Sequence, residues 1–254
     1  MVFLLLRILP YLTPVAYFFL ARSIFIWSDF YQWFLAAVFL LISLYFLLLK
    51  IKSPVKPILP LWLFALIFAF TGLTFSFILE NSLVINLFFI AWSAVLLVYL
   101  EAVFHDFYET YRKHLLNLDN IVLYGNLLVI FFASASLLSW GVFLNFPYLL
   151  IFTILPAIYF FLLSLAFKLK KFSQRDGRFA AGVITLILFE ILLGFKLLPI
   201  SFYVSAAGLS IVYYCLSNLA LSSHDKKLAL KDFLKYGLFS LLLLLIVLLT
   251  AVWL

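Results

Sequence analysis

Charged side chains are scarce in this chain of 254 residues. They make up 11% of it, while 68% of the residues are hydrophobic and the mean hydropathy is +1.27. About a quarter of the residues of a soluble domain are charged. This composition excludes the class of water-soluble globular proteins.

Cysteine is almost absent, because Cys215 is the only one. The chain can therefore form no internal disulfide and no cysteine-based metal site. The sequence also lacks the motifs of serine hydrolases, zinc proteases and nucleotide-binding loops. We predict no metal site and no cofactor, and the sequence favours a protein that is not an enzyme.

Long apolar segments make up most of the chain. A helix needs about 20 apolar residues to cross the hydrocarbon core of a bilayer. We predict an all-α integral membrane protein in which one domain, 1–254, forms a bundle of about nine transmembrane helices. The predicted spans are 2–21, 31–49, 59–79, 83–104, 121–140, 147–167, 179–198, 201–221 and 236–254.

The first predicted span contains three unusual residues. Arg7 interrupts its apolar run, and Pro10 and Pro14 each remove a backbone donor. We predict a kinked span with Arg7 near the headgroups. The alternative is an interfacial or re-entrant segment, which leaves eight spans and places the N-terminus outside.

Basic residues follow every second predicted span. Fourteen of the 17 lie in these alternate gaps, while the opposite gaps hold only Arg22 and Lys196. The fourteen are Lys50, Lys52 and Lys56; Arg112 and Lys113; Lys168, Lys170, Lys171, Arg175 and Arg178; and Lys226, Lys227, Lys231 and Lys235. Since short basic loops stay cytoplasmic, we predict the N-terminus inside and the C-terminus outside.

The same alternation bears on partners and on repeats. We expect the basic loops to lie against anionic lipid headgroups of the bilayer, and this accounts for the net charge of +7 without a nucleic-acid partner. The segments KIK at 50–52 and KLKK at 168–171 also suggest a parallel repeat of 1–116 and 117–235, followed by a final helix. The insertion rule alone produces the same spacing.

Glu190 is the one ionisable residue near the middle of a predicted span. Such residues are costly in a membrane and often mark a functional site. We predict a candidate intramembrane polar site in which Ser205, Ser210 and Tyr213 of the next span are hydrogen-bond partners of Glu190. The alternatives are a proton, cation or substrate site and a neutral glutamic acid that holds two helices together.

A second polar cluster follows the fourth span. Glu101, His105 and Glu109 recur every four residues and therefore stack along one side of a helix. An aromatic stripe lies on a separate face: Phe104, Phe107, Tyr108, Tyr111 and Leu115. We favour an amphipathic extension at the cytoplasmic interface, with an interaction surface or a chelated metal ion as the alternatives.

Several segments resemble one family. YLEAVFHDFYETYRKHLLNLDNIVLYGNLL, LPISFYVSAAGLSIVYYCLSNLALSSHDKK and LLLLLIVLLTAVWL are similar to a group of uncharacterised multi-pass membrane proteins from candidate-phylum bacteria with reduced genomes. The resemblance covers about residues 99–254, and its most specific parts are the segment from Glu101 to His105 and the SFYV turn. It implies a location in the bacterial cytoplasmic (inner) membrane and no particular activity.

Three functional hypotheses remain open. The leading one is a transporter-like protein or carrier, based on Glu190 and the suggested repeat. The second is a non-catalytic membrane scaffold or subunit that holds a membrane-protein partner through its cytoplasmic loops. The third is a small intramembrane enzyme that acts on a lipid-linked substrate.

Overall fold

The computed structural model describes residues 2–52, 58–108, 117–224 and 234–251. Within these ranges nine long helices and one short 3-10 helix, Ser28–Phe30, form, and no strand is present. The nine are α1 (Val2–Ile26), α2 (Tyr31–Lys52), α3 (Leu59–Ser76), α4 (Ser82–Tyr108), α5 (Leu118–Phe143), α6 (Tyr148–Leu169), α7 (Gln174–Leu197), α8 (Phe202–His224) and α9 (Leu234–Leu249). The predicted all-α class is confirmed.

Eight helices, α1 to α8, are long and apolar enough to cross a membrane. Their apolar runs overlap the first eight predicted spans, with bounds that differ by up to five residues. α9 is shorter in the part of the chain that the structure describes, and the last residues of the predicted ninth span, 252–254, lie outside that part. The structure thus shows a multi-pass helical membrane protein.

The first predicted span forms a continuous helix. α1 passes through Pro10 and Pro14 without a break, and its candidate membrane-crossing segment is Arg7–Ile26. α1 packs against α2 and α4. The helix is long and apolar enough to cross a membrane, and the prediction that it does so stays a prediction.

The chain divides into two compact units, Met1–Gly125 and Asn126–Leu254. The boundary falls inside α5, nine residues after the predicted repeat boundary at 116/117. The first unit holds α1 to α4 and the start of α5. The second holds the rest of α5 and α6 to α9.

Aromatic side chains hold the first unit together. The hydroxyl groups of Tyr17, Tyr45 and Tyr99 are buried, and each donates a 2.8 Å hydrogen bond to a backbone carbonyl of another helix. The indole of Trp92 stacks on Phe68 with ring centroids 4.1 Å apart, and its Nε1 donates to the Phe68 carbonyl at 3.1 Å. These bonds satisfy polar groups that lipid could not satisfy.

In the second unit, helices that follow each other in sequence also pack together, α6 with α7, α7 with α8 and α8 with α9. α6 ends in a tight turn: Lys171 has a positive φ of 61°, and the Phe172 amide donates to the Phe167 carbonyl at 3.0 Å. The rings of these two phenylalanines stack. This is a Schellman motif with lysine where glycine is usual, and it reverses the chain between α6 and α7.

Candidate functional site

Glu190 lies on an exposed face of α7, where about 10 Å of helix separate it from the end of α7 at Leu197. Its side chain makes no hydrogen bond or ion pair with any residue that the structure describes. The carboxyl group therefore lies well inside the apolar span. Within the second unit, no described helix covers it.

The three side chains predicted to accompany Glu190 lie elsewhere. The Ser205 hydroxyl is buried and donates to the Ser201 carbonyl at 3.2 Å, and the Ser210 hydroxyl donates to the carbonyl of Ala206 at 2.9 Å. Both bonds stay within α8. The predicted pairing of Glu190 with these serines is therefore not formed.

Tyr213 belongs to a different polar site inside the second unit. Its hydroxyl accepts a 2.9 Å hydrogen bond from Nδ2 of Asn126, which also donates to the Leu162 carbonyl at 3.0 Å. Asn126 and Tyr213 are fully buried, and Asn126 Oδ1 has no partner among the described residues. The sequence analysis missed Asn126, although an amide inside an apolar span is itself a signal.

The face of α7 that carries Glu190 is otherwise apolar. Exposed side chains recur along it at alternating intervals of four and three residues, which places them on one side of a helix. They are Phe179, Val183, Leu186, Glu190, Leu193 and Leu197. We call this surface the open face of α7.

Two glycines lie at or beside the open face. A Cβ atom added at Gly182 or at Gly194 would meet no atom within 4 Å. Gly194 follows Glu190 by one helical turn and is exposed like it. Packing within the described chain therefore does not require glycine at either position.

The second predicted cluster is partly described. Glu101 and His105 are both half-buried, with 3.6 Å between Glu101 Oε1 and His105 Nε2, and Tyr11 of α1 donates to Glu101 Oε1 at 2.7 Å. Glu109 lies outside the described residues. No group of three His, Cys, Asp or Glu side chains suited to a metal ion occurs in the described ranges. In the structure, Glu101 accepts a hydrogen bond that links α4 to α1.

The aromatic stripe beside that cluster is also only partly described. Phe104 and Phe107 are buried in the first unit, and Tyr108 packs against Phe104 with ring centroids 4.8 Å apart. The predicted positions from 109 to 116 lie outside the described ranges. The described part of the stripe therefore contributes to the interior of its own unit.

A small cavity opens where α7 ends and α8 begins. Its volume is about 150 Å³, and its lining includes Leu138, Tyr148, Phe195, Lys196, Phe202 and Ser205. The ammonium of Lys196 sits 3.4 Å from the centroid of the Tyr148 ring. Ser205, predicted as a partner of Glu190, is instead a wall residue of this cavity.

Close helix packing shapes the cavity. A Cβ atom at Gly208 of α8 would lie 2.7 Å from Cζ of Phe195, so glycine there allows the Phe195 ring to approach α8. A Cβ atom at Gly141 of α5 would lie 3.0 Å from the Tyr148 ring. Both aromatic walls are therefore held by contacts with neighbouring helices.

A larger groove, of about 550 Å³, lies between α2 and α3 in the first unit. Phe39, Phe46 and Trp62 line it together with Lys50, and the Trp62 indole donates to the Ser43 hydroxyl at 3.1 Å. Its walls are mainly apolar, and Lys50 supplies a cation at its edge. These features suit a lipid acyl chain under a headgroup.

Comparison with known proteins adds no family: no protein-family model, curated protein or solved structure matches the chain. The resemblance to the candidate-phylum membrane proteins therefore stays a prediction.

Proposed function

We propose that the protein spans the bacterial cytoplasmic membrane nine times, with its N-terminus inside and its C-terminus outside. The distribution of basic residues supports this topology, since fourteen of 17 fall on one side. Reporter fusions at residues 55, 110, 173 and 230 should give a cytoplasmic signal, and a fusion at the C-terminus a periplasmic one. A periplasmic signal from any of the four loops would contradict the proposal.

We further propose that the protein is a non-catalytic membrane subunit, and that two copies assemble through the open face of α7. The observation that carries this function is the exposure of Glu190 within an apolar span, without a partner among the residues that the structure describes. Lipid tails offer a carboxyl group no hydrogen bond. A bare acid at this depth is costly, by about 2.5 to 3.5 kcal/mol for a charged side chain at the centre of a span.

A second copy supplies the missing partner. When two copies are related by a twofold axis along the bilayer normal, a residue that lies on the axis meets its own counterpart at the same depth, and we place Glu190 on that axis. Glu190 then faces Glu190, and two neutral carboxyl groups can donate to and accept from each other. Gly194, one turn away, allows the two helix backbones to come close.

The test measures self-association of the purified full-length protein in neutral detergent micelles, by sedimentation equilibrium. We expect wild type to dimerise and Glu190→Leu to weaken the dimer about tenfold, since interhelical hydrogen bonds in membranes contribute about 1 to 2 kcal/mol. Glu190→Gln should keep most of the affinity, because an amide also donates and accepts. A monomeric wild type, or a Glu190→Leu dimer as tight as wild type, would overturn the proposal.

Two controls separate the open face from other surfaces. Thr153 of α6 is exposed, but its hydroxyl donates to the Leu149 carbonyl of its own helix at 2.7 Å, so Thr153→Leu should leave the dimer intact. With Cys215→Ser as background, Leu186→Cys should cross-link chain to chain, whereas Leu150→Cys on α6 should not. Both reporter positions are exposed, so the difference reports the interface.

The carrier hypothesis gains support from another place, the buried amide of Asn126. Its Oδ1 atom, beside Tyr213, is an acceptor without a partner among the described residues. Inside a membrane bundle, such an acceptor can bind a polar substrate or an ion, which a purely apolar core cannot do. If the protein is a carrier, proteoliposomes should show a flux, of protons for instance, that Asn126→Leu abolishes and Glu190→Gln leaves unchanged. Equal flux in empty vesicles would end this hypothesis.

Two other predictions stay predictions. A partner surface on the cytoplasmic loops falls largely on residues 53–57, 109–116 and 225–233, which lie outside the described ranges. For the hypothesis of an enzyme that acts on a lipid-linked substrate, the described residues contain no cluster of side chains that we can propose as catalytic. We retain anionic lipid as a proposed partner, because Lys50 borders the groove between α2 and α3.

A further inference from the structure

Lys196 is a cation that the insertion rule does not explain. It lies in the last turn of α7, at one of the proposed outer helix ends, which are otherwise almost free of basic residues. It is also exposed and has no acidic partner among the described residues. Its positive charge is therefore not compensated by a described acidic side chain and can bind an anionic ligand.

The Tyr148 ring holds this charge at the mouth of the cavity between the ends of α7 and α8. An ammonium 3.4 Å from a ring centroid is in cation–π contact. Such contact orients the ammonium without neutralising it, so its N–H groups remain available to a ligand. Lys196 therefore presents an oriented cation to whatever enters the cavity.

The rest of the cavity matches an anion with an apolar body. Leu138, Phe195 and Phe202 supply apolar walls, and no acidic side chain is part of the described lining. Ser205 is 5% exposed, and its hydroxyl makes a 3.2 Å bond to the Ser201 carbonyl. A hydroxyl can rotate from such a bond to donate to a bound oxygen.

Four helix ends meet at the cavity, and their partial charges oppose each other. α6 begins at Tyr148 and α8 at Phe202, and both residues line the cavity. Helix N-termini carry partial positive charge and free amide donors. The C-terminal ends of α5 and α7, which contribute Val142 and Leu198 to the lining, carry the opposite partial charge. The preference for an anion therefore rests on the Lys196 ammonium and the Ser205 hydroxyl.

From this arrangement we propose that the cavity binds the anionic group, a carboxylate or a phosphate, of a small amphipathic molecule. Lys196 binds the negative charge, Ser205 donates a hydrogen bond, and the aromatic walls hold the apolar part. The same chemistry occurs in a lipid headgroup and in a free organic anion. This site is independent of the proposed dimer, because its lining does not include the open face around Glu190.

The test measures binding to the purified full-length protein in a neutral detergent, by native mass spectrometry and by shifts of the thermal midpoint. Dihexanoylphosphatidylglycerol probes the lipid source, hexanoate and inorganic phosphate probe the free anion, and dihexanoylglycerol is the uncharged control. We expect saturable binding of one anionic probe per chain and none of the uncharged control. Binding of the lipid alone assigns the site to a headgroup, and binding of a free anion assigns it to a soluble ligand.

Variants tie the binding to Lys196. Lys196→Gln should weaken binding at least about tenfold, as expected for loss of a charged hydrogen bond, and Lys196→Arg should preserve it. Lys168 is the matched control, since it also lies in the last turn of an apolar helix and is exposed. Ser205→Ala should weaken binding a few-fold.

Three outcomes would overturn the proposal: no probe binds, Lys196→Gln binds like wild type, or Lys168→Gln loses as much affinity as Lys196→Gln. The last result would mean that the probe is attracted by the net positive charge of the protein and not by a specific site. An unchanged thermal midpoint of each variant without ligand shows that the fold is intact, so that loss of binding reports the site.

Discussion

Helices α3 and α7 both carry a glycine within an apolar span, and the two glycines have opposite surroundings. A Cβ atom at Gly72 of α3 would overlap the indole ring of Trp92, whereas one at Gly194 of α7 would meet nothing within 4 Å. Over the most apolar window, 61% of α3 is buried but only 22% of α7. Contacts among the described residues thus account for the glycine at position 72 and not for the one at position 194.

The same contrast holds for the polar groups. Around α3, the Trp92 indole and the hydroxyls of Tyr17 and Tyr99 all donate to backbone carbonyls inside the unit. On α7, Glu190 has no such partner among the described residues. The polar groups around α3 thus have hydrogen-bond partners inside their own unit. The carboxyl group of Glu190 on α7 can instead receive a hydrogen-bond partner from another molecule.

The largest effect should come from adding one methyl group at Gly72, and the same change at Gly194 is its control. Gly72→Ala should lower the free energy of unfolding by about 1 to 3 kcal/mol, because the Trp92 ring must move within a packed core. Gly194→Ala should not lower it. Reversible unfolding in mixed micelles, followed by tryptophan fluorescence, measures both, and equal losses would remove the distinction between the helices.

Polar residues give the second comparison. Asn126→Leu removes two interhelical hydrogen bonds, to Leu162 and to Tyr213, and should cost about 1 to 2 kcal/mol of unfolding free energy. Glu190→Leu should cost nothing when measured at a dilution that keeps the chain monomeric. A destabilised Glu190→Leu monomer would mean that its own chain covers the open face.

The spans could be predicted from the sequence because their cause is local. Every residue of an apolar run contributes to membrane insertion, and the length of a run reports directly whether it can cross. The eight long helices therefore lie where the hydropathy places them. Depth was predictable for the same reason, since Glu190 and Tyr213 both lie well inside their spans.

The partners of those residues could not be predicted, because the sequence does not state which way each helix is rotated. Each span carries apolar side chains on all of its faces. The sequence therefore has no amphipathic pattern that would separate the face towards other helices from the face towards lipid. Tyr213 turns towards Asn126, and Glu190 lies on the exposed side of its helix. Packing between helices determines these directions, and Asn126 was overlooked although its amide was visible as a polar residue in a span.

A smaller effect is expected at Tyr99, which represents the satisfied polar groups of the first unit. Tyr99→Phe removes the 2.8 Å bond to the Leu61 carbonyl but leaves the ring in place. We expect a loss of about 0.6 kcal/mol, the average for interhelical hydrogen bonds in a membrane protein. A loss above about 2 kcal/mol would show that the hydroxyl contributes more than this one bond.

The smallest effect should be found at Ser210, which was predicted as a partner of Glu190. Its hydroxyl donates to the Ala206 carbonyl of its own helix, a bond that links no two helices. Ser210→Ala should therefore change the unfolding free energy by less than about 0.5 kcal/mol, and it should leave the dimer as tight as that of wild type. The double variant with Glu190→Gln tests this directly, because substitutions at residues that are not in contact change the free energy additively. Any coupling between the two substitutions would mean that Ser210 and Glu190 meet, and the open face of α7 would then be closed by its own chain.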